Sequence, residues 1–155
     1  MGWLLGLIPF VARLDRRSTP GRFVRFLQGE DLFKQYMNDL AEDTKKAVDP
    51  SELQRWAVTV LRDTPESESV TTGVPEEKIA VSIRNLRTNG MAFEMVGCNS
   101  EDSADPQERS VCIWWGGGFG HWGIRVGAPT FKVDPASEDN AYIEWRPGIY
   151  FWREK

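Results

Sequence analysis

Apolar residues recur at helical spacing in the first half of the chain and at alternate positions in the second half. Two stripes repeat every three or four residues, which is typical of amphipathic α-helices. The first predicts a helix from Glu30 to Ala47, and the second predicts a helix from Pro50 to Thr64. Their apolar members are Leu32, Phe33, Tyr36, Met37, Leu40 and Ala41 in the first, and Leu53, Trp56, Ala57, Val60 and Leu61 in the second.

Polar signals mark where the second helix begins and ends. Asp49, Pro50 and Glu52 stand where an N-cap, a first-turn proline and a capping-box glutamate are expected. Thr64-Pro65 ends the helix, because the residue before a proline disfavours helical geometry. The short connection between the two helices predicts a helical hairpin.

A further short helix is predicted before the pattern changes near residue 90. Ile79, Ile83 and Leu86 share one face after Pro75. Short runs of β-branched and aromatic residues then predict strands at 91–97, 110–115, 121–126, 130–133, 141–146 and 149–153. Pro147-Gly148 suits the centre of a type II turn between the last two strands.

Together these elements predict an α+β fold, in which an N-terminal helical hairpin and a short helix pack on an antiparallel β-meander of about five or six strands. Helices are expected within about 20–64 and strands within about 91–153. We expect residues 18–155 to form one domain, because a helical hairpin alone buries little surface. Residues 1–17 form a separate apolar and basic segment.

That N-terminal segment has eleven uncharged residues, 2–12, followed by arginines. It is too short to span a bilayer, which takes about 20 apolar residues. The arginines follow the apolar run, whereas a secretory signal has its basic residues first, so cytoplasmic or membrane-peripheral placement is favoured. Three alternatives remain for this segment: it docks on the core of the domain, it lies at a membrane surface, or it is buried in a protein partner. The anchor residues under the last two alternatives are Trp3, Leu4, Leu5, Leu7, Ile8, Phe10, Arg13, Arg16 and Arg17.

Composition narrows the function classes without naming one. The 155 residues carry a net charge of -4, with 41% hydrophobic and 27% charged types, as in ordinary globular domains. The acidic balance argues against nucleic acid as a partner. Two cysteines, Cys98 and Cys112, lie at the ends of two predicted strands, where they form either a cross-strand disulfide or two free thiols.

The excess of aromatic residues is the most unusual feature. Five of the seven tryptophans follow residue 113, and three of them lie within the glycine-rich run 114–123. Two alternatives remain for this run: a glycine-rich hairpin connection covered by aromatic rings, or an indole-lined groove for a carbohydrate or a peptide. The candidate binding residues are Trp114, Trp115, His121, Trp122, Trp145, Tyr150 and Trp152.

His121 is the single histidine of the chain. The run from His121 to Gly127 resembles the histidine-bearing strand of papain-like hydrolases of the cell-wall peptidase and lecithin:retinol acyltransferase kind. The resemblance implies a nucleophilic cysteine at a helix N-terminus, where the helix dipole favours the thiolate. Both cysteines of this chain fall on or beside predicted strands. We therefore expect a structural or surface histidine, and a hydrolase using His121 is the least favoured function.

The sequence gives little support for a metal site or for catalysis by paired carboxylates. One histidine and two cysteines fall short of a four-ligand zinc site, and the acidic run 101–105 lacks the ligand spacing of a calcium loop, so no metal or cofactor is expected. Glu94 and Glu144 both alternate with residues predicted to face inward, which places them toward solvent. The sequence thus favours a non-enzymatic interaction or structural subunit with a protein partner or a membrane surface. A small carbohydrate- or peptide-binding module is the main alternative.

Overall fold

The computed structural model describes residues 32–64, 72–88, 90–99, 108–116 and 120–155. Within these residues the chain forms α1 (Leu32–Ala47), α2 (Pro50–Asp63) and the four-residue α3 (Val81–Arg84), followed mainly by strands. The strands are β1 (Thr72–Gly73), β2 (Met95–Asn99), β3 (Ser110–Gly116), β4 (His121–Val126), β5 (Asn140–Arg146) and β6 (Ile149–Glu154). The predicted α+β class, with helices first and an antiparallel sheet after them, is confirmed.

The helical hairpin forms where the local signals placed it. The Asp49 carboxylate accepts hydrogen bonds from the backbone N–H groups of Ser51 and Glu52, at 2.8 and 2.9 Å. These bonds satisfy two of the amides that the first turn of α2 leaves unpaired. The short helix predicted after Pro75 is instead divided into a 3-10 turn at Glu76–Lys78 and the separate helix α3.

All strand pairs in the sheet are antiparallel, and the order across it is β1-β2-β3-β4-β6-β5. The last two strands are therefore exchanged relative to a simple meander, with β6 between β4 and β5. The run 130–133, predicted as a strand, belongs instead to the connection from β4 to β5. Its side chains Phe131 and Val133 pack on Tyr150, which explains why their apolar pattern resembles that of a strand.

One face of the sheet carries the main core. The helix α1 packs on β4 and β6, while α2 packs on β3 and β4. We call this side the helix face. Its fully buried members include Leu40, Leu53, Ile113, Trp115 and Phe151. We call the opposite side of the sheet the second face.

A buried glutamine fixes the hairpin to the irregular connection. The side-chain amide of Gln54 on α2 donates to the carbonyl oxygens of Gly127 and Pro147, at 3.1 and 3.0 Å. The first carbonyl lies just after β4, and the second lies in the turn between β5 and β6. Gln54 thus joins α2 to the end of β4 and to the turn between β5 and β6.

Candidate functional site

The alternation of side chains along each strand divides the aromatic residues between the two faces. Trp115 and Trp122 are cross-strand partners buried on the helix face, where Tyr36 stacks on Trp122 with ring centroids 4.5 Å apart. Trp145 is half-buried on the same side and stacks on Phe151. Trp115 and Trp122 are therefore part of the core, and the half-buried Trp145 packs against it.

The other four candidates, Trp114, His121, Tyr150 and Trp152, lie on the second face. Trp114 pairs with Gly123, and Gly123 pairs with Trp152, so these three positions form one row across β3, β4 and β6. An added Cβ at Gly123 would lie 2.7 Å from the indole nitrogen of Trp152. The glycine therefore lets the Trp152 ring lie directly on the β4 backbone, and this ring is buried.

Tyr150 is also closed off from solvent. It packs edge-on against Phe131, and its hydroxyl donates to the Phe131 carbonyl at 3.3 Å. Beside it in the sheet, the guanidinium of Arg125 lies 5.9 Å from the Trp152 ring centroid and is itself buried. The centre of the second face is consequently packed, and Tyr150 and Trp152 are not available as surface contacts.

Among the described residues of β3, β4 and β6, the end of the second face near His121 is more open to solvent than its centre. His121 presents 37% of its side chain, with Glu154 at 43% and Glu94 at 53%. Met95, the cross-strand partner of the half-buried Trp114, is 46% exposed. We call these five residues the open patch: Glu94, Met95, Trp114, His121 and Glu154.

The imidazole of His121 lies between two carboxylates. Glu154 holds it from β6, because one carboxylate oxygen contacts Nδ1 at 2.9 Å and the other accepts the backbone N–H of His121, also at 2.9 Å. On the other side, Nε2 lies 3.9 Å from a carboxylate oxygen of Glu94. The Nδ1 contact orients the ring with Nε2 on the side of Glu94, and the second bond ties the His121 backbone to the same carboxylate.

Gly116 makes room for this arrangement. It pairs with His121 across β3 and β4, and its φ of 125° favours glycine. A Cβ at this position would lie 2.4 Å from the Gly120 carbonyl oxygen and 3.1 Å from the His121 Cα. At Gly116 the chain thus makes a close backbone approach, with the Trp122 ring beside it. Residues 117–119 of that connection lie outside the described residues.

The two cysteines are free thiols, and the disulfide alternative is wrong. Cys98 pairs with Val111, whereas Cys112 pairs with Gly97, so the two are offset by one residue on neighbouring strands. Since successive side chains point to opposite faces, the two thiols lie on opposite sides of the sheet. Both are buried, which removes either of them as an accessible nucleophile for His121.

Burial also affects how the protein responds to alkaline pH. It raises the pKa of the Cys98 thiol above its ordinary value of 9.0, against smaller opposing effects of a hydrogen bond with Thr64 and of the Arg109 charge. Burial likewise raises the pKa of Tyr150 above 10.0, with further contributions from the charges of Glu144 and Glu108. In both cases the folded state holds its proton at a pH where the unfolded chain has lost it.

We therefore expect the free energy of unfolding to fall as pH rises above about 9, where the unfolded thiol begins to ionise. Below that pH both contributions are fully present, and they are lost as pH passes through the raised values. Urea denaturation at several pH values between about 7 and 11 measures the slope. The Cys98→Val variant should show a shallower decline than the unmodified protein between pH 9 and 10, and equal slopes would contradict the assignment.

Comparisons with known proteins add no relative. No family model, no curated protein and no solved structure matches the chain. Among the described residues, no helix has the length and apolar character needed to cross a membrane. The same part of the chain contains no group of three or more histidine, cysteine or carboxylate side chains placed to hold a metal ion.

The predicted anchor residues between Trp3 and Arg17 lie outside the described residues. Of the predicted site, the structure thus brings together Trp114 and His121, and it adds Glu94, Met95 and Glu154. Glu94 was predicted to be exposed, and it is. The approach of Glu94 to His121 could not be predicted, because it depends on which strands pair in the sheet.

Proposed function

We propose that this chain is a non-catalytic protein-interaction module that contacts its partner through the open patch. The observation that supports this proposal is the unequal packing of the sheet. The core of the helix face and the centre of the second face are closed, whereas the patch leaves the Met95 thioether, part of the Trp114 side chain and two carboxylates accessible to solvent. Polar groups around a small apolar centre are the usual composition of a transient interface.

The neighbouring rows of the sheet give the patch a fixed shape. Met95 and Trp114 are held in register by the β2–β3 pairing, and His121 is held by Glu154. A surface held in this way loses little conformational entropy when a partner binds. The segment 1–17 remains a predicted second contact, with a membrane or with another protein of an assembly.

The hydrolase alternative is favoured by one observation. A carboxylate that bonds Nδ1 of a histidine resembles the pairing that orients a catalytic base. Such a base needs a nucleophile within hydrogen-bond distance of Nε2. Among the described residues the group facing Nε2 is the Glu94 carboxylate, and both thiols are buried. The contacts therefore support binding over catalysis.

A displayed library of random dodecapeptides tests the interaction proposal. Peptides enriched on the intact protein should lose at least tenfold in affinity for the Trp114→Ala and Met95→Ala variants. Val58→Ala is the matched control, because Val58 is exposed on α2, away from the sheet. If no peptide is enriched, or if the patch variants bind the enriched peptides as tightly as the control does, the proposal is wrong.

A further inference from the structure

We infer that the partner segment recognised by the open patch is cationic and presents an arginine side chain to Glu94 and Glu154. This inference rests on the proposed function and specifies the chemistry of the partner. It is supported by the charge of the patch, by the geometry of its carboxylates and by the aromatic surface beside them.

The patch carries two carboxylates, and no lysine or arginine of the described part of the chain neutralises them. Among the described residues, neither Glu94 nor Glu154 forms an ion pair with a lysine or an arginine, and the basic side chain that each approaches is the His121 imidazole. The nearby guanidinium of Arg153 donates to the backbone carbonyl of Glu154. Two carboxylates around one imidazole leave a net negative charge whether the ring is neutral or protonated.

The carboxylates are also accessible and partly fixed. Each keeps about half of its side chain exposed, so a partner cation reaches them without the large desolvation cost of a buried pair. Glu154 is already held by two hydrogen bonds from His121. Its oxygens retain further lone pairs, because a carboxylate accepts up to about four hydrogen bonds.

The apolar part of the patch selects among cations. Trp114 and Met95 are cross-strand partners, and Glu94 precedes Met95 and bonds the Trp114 carbonyl through its backbone N–H, so the stem of a long side chain can lie on the two apolar residues beside Glu94. An arginine fits best, because its planar guanidinium stacks on an indole and donates to several acceptors at once. A lysine also carries a positive charge, but its ammonium group has no planar surface to stack on the indole and no parallel pair of donors for a carboxylate.

Other ligand classes fit this surface less well. The two carboxylates repel anions. Metal ions lack a suitable ligand group in the described part of the chain. A neutral sugar would stack on Trp114 without needing Glu94 or Glu154. Substitution of these two glutamates should therefore weaken the binding of a cationic partner but not that of a sugar.

Calorimetric titration with three capped heptapeptides tests the inference. In each, glycine alternates with arginine, with lysine or with glutamate. We expect the arginine peptide to bind most tightly, with an affinity that falls as salt concentration rises, and the glutamate peptide not to bind. An arginine peptide that binds no better than the glutamate peptide overturns the inference.

Charge-neutral variants locate the binding. The Glu94→Gln/Glu154→Gln double variant should bind the arginine peptide at least tenfold more weakly, since its amides keep the shape of the carboxylates without their charge. Glu144→Gln is the matched control, because Glu144 is exposed on the same sheet face but lies on the edge strand β5. Thermal unfolding followed by circular dichroism checks that each variant is folded.

The results separate this inference from the proposed function. If library peptides lose affinity with Trp114→Ala but bind the double glutamine variant normally, the patch is an interaction surface and the cationic partner is wrong. If the arginine peptide binds equally to the double variant and to Glu144→Gln, the inference is also wrong. Loss of binding in the double variant alone supports it.

Discussion

Replacing Gly123 with alanine is expected to destabilise the fold by about 3 kcal/mol or more. A Cβ at this position would lie 2.0 Å from the backbone carbonyl oxygen of Ile113 and 2.7 Å from the indole nitrogen of Trp152. The carbonyl belongs to the neighbouring strand β3 and cannot move without breaking the strand pairing. The Trp152 ring is buried against the same backbone, so it has little room to retreat.

Urea denaturation of Gly123→Ala measures this loss directly. Gly73→Ala is the matched control, because Gly73 also lies in a strand and an added Cβ there meets no atom within 4 Å. The control should change stability by less than about 1 kcal/mol. Equal stability of the two variants would show that the sheet accommodates a side chain between Trp114 and Trp152.

The second large effect is expected for Trp115→Ala, at about 3–5 kcal/mol. Trp115 is fully buried, pairs with Trp122 across the sheet and makes an edge-to-face contact with Phe93 at a centroid distance of 6.2 Å. Removing the indole leaves a cavity in the middle of the helix face, and packed neighbours close such cavities only partly.

Trp114→Ala provides the control within the same strand. Trp114 is the adjacent residue, yet it lies on the second face and is only half-buried. Its replacement should cost clearly less stability in the same denaturation experiment, while it removes peptide binding. A loss in Trp114→Ala equal to that in Trp115→Ala would mean that the second face contributes as much packing as the helix face.

Local sequence signals predicted the parts of the fold that local interactions determine. The α2 cap at Asp49 was correct, because it needs only contacts within four residues. The positive φ of Gly148 agrees with the predicted Pro147-Gly148 turn.

Features that depend on distant pairing were not predictable in this way. The position of β6 between β4 and β5 depends on which strands pair with each other. The alternation of side chains along a single strand does not determine its neighbours in the sheet. The contact between His121 and Glu154 joins residues 33 positions apart and exists only because β4 and β6 are neighbours. The alternation of apolar residues in 130–133 resembles that of a strand, although Phe131 and Val133 lie in a connection that packs on Tyr150.

The packing of α1 on β6 has a consequence for the kinetics of folding. The first described helix and the last described strand meet, so a contact of the core closes a loop of about one hundred residues. Neighbouring β4 and β6 add a second pairing between residues distant in sequence. Contacts of this kind form late, after most of the chain entropy has been lost. We therefore expect slow, cooperative folding in which the helical hairpin gains stable structure only together with the sheet.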